Sequence, residues 1–512
     1  MAQALFDAIE NHTNSTSTVT LNGAKTYSSS LNGVLDLFAL GGACRGSSES
    51  ALLDLFAKAY AEDELLALKT LFYLRDIRGG QGERKTFRRI IKYLADYYPN
   101  VLRKNLECIP EYGRWDDLLE LHNTKVWSDA LMYIDHQLKQ DLANLGQEPP
   151  SLLAKWLPSI NTSSRKAKML AKEICKKLKY NYKEYRKSLS ALRKEIKIVE
   201  RDMCSKNWGG ITYEQVPSQA MTRLHGAFRK NDTKRFERYI DDVKSGKKEI
   251  KSDTLYPYQI VDKVLNRRWG ARENPADIEV LDAQWNALPD YIGPDNVHNG
   301  IAVVDTSGSM EGAYNSDSGI TPISVAISLG IYFAERNTCE QFKNRFLTFS
   351  ECPQLATIKG NDILSKVRSI HGSDWGMNTD LQAVFDLILN QAIDHKLTNN
   401  DIPDVVYIIS DMEFDDATNC HRGWGSSESG PTNFEAIKAK FAEANYIMPK
   451  IVFWNVDAKQ KQLPVTMDEN GTALVSGASP SILKSLLSGD IEDPIQVMLE
   501  TITAERYDMV TV

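Results

Sequence analysis

The sequence predicts two unlike architectures in one chain. An all-α region of short helices runs to about residue 295, and an α/β domain with a doubly wound parallel sheet follows. Three observations carry this. From Leu31 onward apolar residues recur at helical spacing, and tight polar or glycine turns separate the segments. After residue 300, apolar runs of strand length alternate with apolar helical stretches, the pattern of βα units. Between them, residues 268–299 hold Pro275, Pro289 and Pro294 with Gly270 and Gly293, the composition of a linker.

At 512 residues the chain is too long for a single core. The expected division is a polar arm over 1–30, a helical-repeat region over 31–295 and the α/β domain over 296–512. The arm is rich in Ser, Thr and Asn and reads as loosely ordered, with VTLNGAKTY able to form a short hairpin. Helices are expected at 48–60, 62–77, 82–98, 100–109 and 114–122. Their succession through tight turns reads as stacked helical pairs of HEAT-like type, with degenerate repeats. Two long basic helices follow, at 164–180 and 182–204. In the second half, strands are expected at 301–304, 346–349, 405–409 and 451–456, with apolar helices at 322–337 and 381–389. A final helix near 494–502 could return to the helical region.

Several function classes drop out. No run of 18 apolar residues exists, and the first residues lack the basic and apolar blocks of a secretory signal. The seven cysteines are scattered without a C-x-x-C pair, which argues against a disulfide framework or structural zinc and suits the reducing cytoplasm. There is no H-E-x-x-H and no G-x-S-x-G. GGQGERKT (residues 79–86) invites a phosphate-loop reading, but the second glycine of that motif falls on Arg84, and a helix rather than a strand precedes it. A non-enzymatic protein is expected.

Charge is divided unevenly. Residues 151–270 hold 29 Lys and Arg against 13 Asp and Glu, or +16, which leaves the rest of the chain at −23 within a total of −7. Such polarity implies a polyanionic partner, or pairing with the protein's own acidic part. Arg165, Lys168, Lys172, Lys176 and Lys179 follow one another at steps of three and four, so they form one stripe on a helix. Ala167, Leu170, Ala171, Ile174 and Leu178 fall on the opposite face. The next helix repeats the plan. Leu189, Leu192, Ile196, Val199 and Met203 pack, while Arg186, Lys187, Arg193, Lys194, Lys197 and Arg201 stay available. Few acids are interleaved to form i,i+4 pairs. A phosphate backbone would relieve the repulsion along the row, and Tyr180, Tyr182, Tyr185 and Trp208 lie close enough in sequence to stack on bases. RNA is the expected partner; a solvated charged face and core aromatics are the alternatives.

A metal site is the most specific signal. The apolar strand at 301–304 runs into Asp305-Thr-Ser-Gly-Ser, which delivers Asp-x-Ser-x-Ser to the carboxyl edge of the sheet, where ligands of such folds sit. The other reading is a strand-to-helix turn with capping hydroxyls. D-x-S-x-S after an apolar strand resembles the metal-ion-dependent adhesion site of von Willebrand A domains. In that resemblance Thr379, before an apolar helix, stands for the family's Thr loop, and Asp411, after the strand at 405–409, for its Asp loop. The family has glycines just before the Thr, where Met377 and Asn378 stand here. The resemblance implies a Rossmann-like fold and a Mg²⁺ or Mn²⁺ ion. Ser307 and Ser309 would give hydroxyl oxygens, Thr379 would bind directly or through water, and Asp305 and Asp411 would supply charge. The open position would take a carboxylate from an acidic protein partner. Glu413, Asp415 and Asp416 are expected on the rim, with the loop at 415–433 either covering the metal or contacting a partner near it.

The whole arrangement resembles the Ro autoantigen family, a TROVE module of helical repeats joined to a von Willebrand A domain. FYLRDIRGGQGERKTFRRII (72–91), PEYGRWDDLLEL (110–121) and DTSGSM carry the resemblance, and the N-terminal pieces look closest to an uncharacterised Ro-like branch, some of it viral. It implies a helical ring that binds single-stranded ends of structured or defective RNA, with Arg75, Arg78, Arg84 and Lys85 as further candidates by position. A protein-binding scaffold that works through the metal site without RNA is the rival expectation.

Overall fold

The apolar run at residue 301 is a central strand of a six-stranded sheet. The structure is a computed structural model that describes residues 16–265, 275–293, 299–311, 321–350, 352–373, 379–415, 432–458, 461–488 and 491–512. Its strands are β1 (Ser17–Val19), β2 (Lys25–Tyr27), β3 (Gly300–Val304), β4 (Arg345–Thr348), β5 (Leu355–Thr357), β6 (Val405–Ser410), β7 (Lys450–Asn455) and β8 (Thr472–Ser476). The first two form a hairpin. The other six lie in the order β5-β4-β3-β6-β7-β8. All neighbours are parallel except β5, which is antiparallel to β4.

This order places a switch point at the site. The chain moves outward from β3 through β4 to β5, then returns to the other side of β3 and moves outward again through β6, β7 and β8. Crossovers on the two sides leave a crevice at the carboxyl ends of β3 and β6, where open α/β sheets bind ligands. Every residue of β3 and β8 is buried, so these strands read as unbroken apolar runs rather than alternating ones. The helix Pro322–Arg336 lies so close to β3 that a side chain at Gly330 would stand 2.6 Å from Val304 Cγ2.

The N-terminal half is helical, as its periodicity predicts. Glu49–Glu62 and Glu64–Arg75 share Asp63, which ends the first helix and caps the second by accepting from Leu66 N–H at 2.8 Å. The expected long basic helix at 182–204 is two helices, Tyr182–Glu195 and Val199–Cys204. Lys197, with φ at 53°, turns the chain between them.

One apolar core runs from the N-terminal helices through the sheet to the last residues. The helix Gly33–Gly41 packs on β8, where the Ser476 hydroxyl donates to the Phe38 carbonyl and accepts from Gly42 N–H, both at 3.0 Å. The final helix, Pro494–Ile502, returns to the helical region and packs on Gly33–Gly41 and Glu64–Arg75. Beyond it Arg506 pairs with Asp76, and Thr511 and Asn105 exchange hydrogen bonds of 3.0 and 2.6 Å.

The GGQG turn is a joint of this assembly. Gln81 donates to the Tyr73 hydroxyl at 2.6 Å and accepts from Ser479 N–H at 3.3 Å, while the Ser481 hydroxyl donates to the Gly80 carbonyl. Gly82 has φ at 63°, and a Cβ there would stand 2.0 Å from the Tyr256 hydroxyl oxygen. The glycines serve close packing between chain segments.

For the polar arm the structure has the hairpin expected as an alternative over VTLNGAKTY, and the loose arm is corrected over 16–30. Residues 16–30 are not loosely ordered; β1 and β2 form a hairpin docked on the α/β domain, where Tyr27 and Leu463 exchange backbone hydrogen bonds of 3.0 and 2.9 Å. Polar side chains made this segment read as an arm, but its backbone donors and acceptors are satisfied against the second domain. Residues 1–15 lie outside the described residues. Among the described residues no helix is long and apolar enough to cross a membrane.

Candidate functional site

The register of β3 and β6 sets Val304 opposite Ile409, so Asp305 and Ser410 stand side by side as the chain leaves both strands. Asp305 N–H donates to the Ile409 carbonyl at 3.1 Å, extending the ladder by one residue. The Ser410 hydroxyl donates to Asp305 Oδ2 at 2.6 Å, and Ser307 N–H donates to Oδ1 at 2.8 Å. The orientation of a fully buried acid is thereby fixed. Burial, and then the charge of neighbouring Asp411, push the Asp305 carboxyl up to about 6. Two acids that repel each other away from water suit a cation.

The hydroxyls fit Mg²⁺ as well. Ser307 Oγ and Ser309 Oγ lie 3.0 Å apart. The two hydroxyls are hydrogen-bonded to each other at that distance, and two cis oxygens on an octahedral Mg²⁺, at bonds of ~2.1 Å, would stand about equally far apart. Ser307 is half-buried and Ser309 exposed, so the hydroxyl side faces solvent. Among the described residues no group of three or more His, Cys, Asp and Glu gathers as a metal cage. Two carboxylates with hydroxyls would suit a hard ion that keeps water.

Thr379 belongs to the same neighbourhood but is tied to the chain beyond Asp411. Its hydroxyl donates to the Glu413 carbonyl at 2.8 Å, and its N–H donates to the Asp415 carboxylate at 2.5 Å. Asp415 N–H returns to the Thr379 carbonyl at 3.0 Å. Met412, buried, has φ at 65°, which turns the chain sharply after Asp411. A non-glycine residue held there marks a segment over-determined by its surroundings. Glu413 is not on the rim but buried at 6% exposure. Met377, Asn378, Asp416 and most of the 415–433 loop lie outside the described residues.

The basic face is a second candidate. In the helix Arg165–Lys177, Ala171, Ile174 and Cys175 are buried, and in Tyr182–Glu195, Tyr185, Leu189 and Leu192 are. Arg165, Lys168, Lys172, Lys176, Lys179, Arg186, Lys187 and Lys194 are all exposed. Among the described residues none of the eight forms an ion pair. Glu173, the one acid of the first helix, is engaged elsewhere, bonded to His122 at 2.8 Å and to Trp127 at 3.2 Å.

Residues 20–130 and 130–293 match the family described as domain of unknown function DUF2828. The chain belongs to the DUF2828 family. Residues 299–509 match a second, described as domain of unknown function DUF7788. The chain is similar to the uncharacterized protein L728 of Acanthamoeba polyphaga mimivirus, 28% identical over 526 residues that cover 94% of this chain and 86% of that protein.

Within this DUF2828 chain some expected residues do other work. Arg193 is corrected. It donates to the Ala154 carbonyl at 2.8 Å, the Ser159 hydroxyl at 2.7 Å and the Leu157 carbonyl at 2.8 Å. It clasps the end of the short helix Leu153–Trp156 instead of facing solvent. Arg75 is buried and paired with Asp117. Tyr185 is a core residue, and the Tyr180 hydroxyl donates to Asp135 at 2.7 Å. Of the four aromatics, Tyr182 is exposed, at 48%. Ser410 was not singled out from the sequence for orienting Asp305; a hydroxyl residue that ends an apolar strand just before an acid was the available signal.

Proposed function

We propose that this protein is a non-catalytic RNA-binding protein of Ro type. It takes single-stranded or defective structured RNA on the basic helical face and holds a protein partner through a Mg²⁺-dependent von Willebrand A-type domain. The observation that carries the RNA reading is a set of exposed cations, Arg165, Lys168, Lys172 and Lys176 in a row on one helix, Lys179 in the left-handed turn beyond it, and Arg186, Lys187 and Lys194 on the next helix, none of them ion-paired among the described residues. Such a row repels itself, and a polyphosphate both relieves the repulsion and gains entropy as counterions leave. Tyr182, exposed beside Lys183, would stack on a base.

The domain reading rests on the strand order and its switch point beneath Asp305 and Asp411. Asp305 and Asp411 would supply charge, Ser307 and Ser309 hydroxyl oxygens, and Thr379 a third loop. A bound Mg²⁺ or Mn²⁺ would supply an electrophilic centre for a partner's Asp or Glu. The helical region is read as degenerate HEAT-like repeats curling toward a ring, which the return of the final helix favours. The cytoplasm is its expected compartment, given cysteines that include the buried Cys44, Cys108 and Cys175 as free thiols.

A scaffold that binds protein alone is the second reading, supported by the gathering of Asp305, Ser410 and Asp411 at the ends of β3 and β6, a site that needs no RNA. Purification separates the two. Nucleic acid that copurifies and leaves in high salt supports RNA binding. A protein that copurifies and leaves on EDTA treatment, with no retardation of single-stranded RNA near physiological salt, rejects it in favour of the scaffold.

A further inference from the structure

The loop that carries Asp411 is held from outside its own domain. At the turn of the N-terminal hairpin, the Thr20 hydroxyl donates to the Phe414 carbonyl at 2.6 Å. Leu21 N–H donates to the Glu413 carboxylate at 2.8 Å, and the Asn22 amide donates to the Glu413 carbonyl at 2.7 Å. Gly23 forms an antiparallel bridge with Asp415. Four successive residues of the turn thus grip three successive residues of the loop.

We infer that the hairpin Ser17–Tyr27 is a strap on the metal loop, and that its grip on residues 413–415 sets the affinity of the site for a divalent cation. This rests on the reading of Asp305, Ser307, Ser309, Thr379 and Asp411 as a cation site. The Glu413 carbonyl is the link. It accepts from Asn22 of the strap and also from the hydroxyl of Thr379. Asp415 is shared in the same way, between the Gly23 bridge and Thr379 N–H. The strap therefore fixes the Thr loop and the Asp loop against each other through the Glu413 carbonyl, which both touch, and through Asp415, bridged by Gly23 at its backbone and bonded by Thr379 at its carboxylate.

Docking of the hairpin alone does not require this grip. Its far end is already fastened by the Tyr27–Leu463 backbone pair and by the Thr26 hydroxyl, which donates to the Leu463 carbonyl at 2.7 Å. The grip at the tip falls one residue after Met412, whose left-handed backbone persists only where neighbours hold it. The strap leads directly into the helix Gly33–Gly41, which packs on β8, so movement of the helical region reaches the loop through a short chain segment. Glu413 is a positioning residue in this scheme, and Asn22 is its partner on the strap.

The test uses the full chain and the metal alone. Mn²⁺ binding is followed by electron paramagnetic resonance and Mg²⁺ by competition, with Tm measured for each protein. The wild type is compared with Thr20→Val/Asn22→Ala at the tip and with Thr26→Val at the far end. The tip variant is expected to lose roughly fivefold or more in cation affinity, while Thr26→Val keeps wild-type affinity although its Tm also falls. Equal affinity in wild type and tip variant, or equal losses in both variants, overturns the strap. A wild type that binds neither ion overturns the cation-site reading and the strap with it. If the double variant does not fold, Asn22→Ala alone, at an exposed position, carries the same comparison.

Discussion

The Ser410 hydroxyl donates to the Asp305 carboxylate at 2.6 Å across the seam where the sheet reverses its direction of winding. The bond joins the end of β6 to the residue after β3, so the first acid of the candidate site is oriented by the strand that delivers the second.

Ser307 and Ser309 are closer to solvent, and their loss separates metal binding from folding. Ser307→Ala/Ser309→Ala removes a hydroxyl that bonds the buried Asp305 carboxylate and is expected to lose about 1 kcal/mol in EDTA. The wild type should gain about 2.7 kcal/mol at a hundredfold excess of Mg²⁺ over Kd, and the variant should gain little. Urea unfolding with and without Mg²⁺ checks this. Equal gains in both proteins would remove the serines from the donor set.

Arg193 and Arg186 sit on one helix but are expected to behave oppositely. Arg193→Ala abandons two carbonyls and a hydroxyl, each a loss of about 1 kcal/mol, so its unfolding midpoint should drop clearly. Arg186 is exposed, and Arg186→Ala should change stability by under about 0.5 kcal/mol while weakening RNA retention. A similar stability for both variants would contradict the assignment.

Gly82→Ala probes the GGQG joint. The position combines φ of 63° with a Cβ that would stand 2.0 Å from the Tyr256 hydroxyl oxygen. Strain there costs of order 1–3 kcal/mol, and the clash adds to it. Thermal unfolding should show a fall of several degrees. A neutral substitution would mean that the turn is not packed as described.

Asp116 gives the helical region an acid limb. Burial would raise its carboxyl, but hydrogen bonds from Arg114 and the charges of Arg114 and Arg88 hold it below its ordinary 3.8. A depressed carboxylate stabilises the fold above its unfolded-state value and loses that contribution as pH falls through the lower, folded-state value. Stability should therefore fall below about pH 4, and Asp116→Asn should flatten part of that fall. Parallel acid curves for the two proteins would exclude Asp116 as a contributor.

Much of the fold was legible because period and punctuation agreed. The strand at 301–304 was readable as an apolar run that stops at an acid, and the structure carries it one residue further back, to Gly300. β5 was not readable, since its three residues are partly exposed at a sheet edge and show no pattern. β8 was missed although all five of its residues are buried; TALVS is too short to tell from a turn before its neighbours are known. Arg193 shares the spacing of its exposed neighbours, and only main-chain carbonyls distinguish it, which no side-chain pattern reveals. The hairpin's grip on residues 413–415 spans almost four hundred positions and left no local trace.

The most direct test of the account is the binding of a fluorescent single-stranded RNA titrated over salt, for the wild type and for Lys168→Glu/Lys172→Glu/Lys176→Glu. Log K should fall by about 0.7 per neutralised phosphate for each unit of log salt, and the variant should lose affinity and slope together with an unchanged Tm. A wild type that does not bind near physiological salt, or a variant with the same slope, would contradict it.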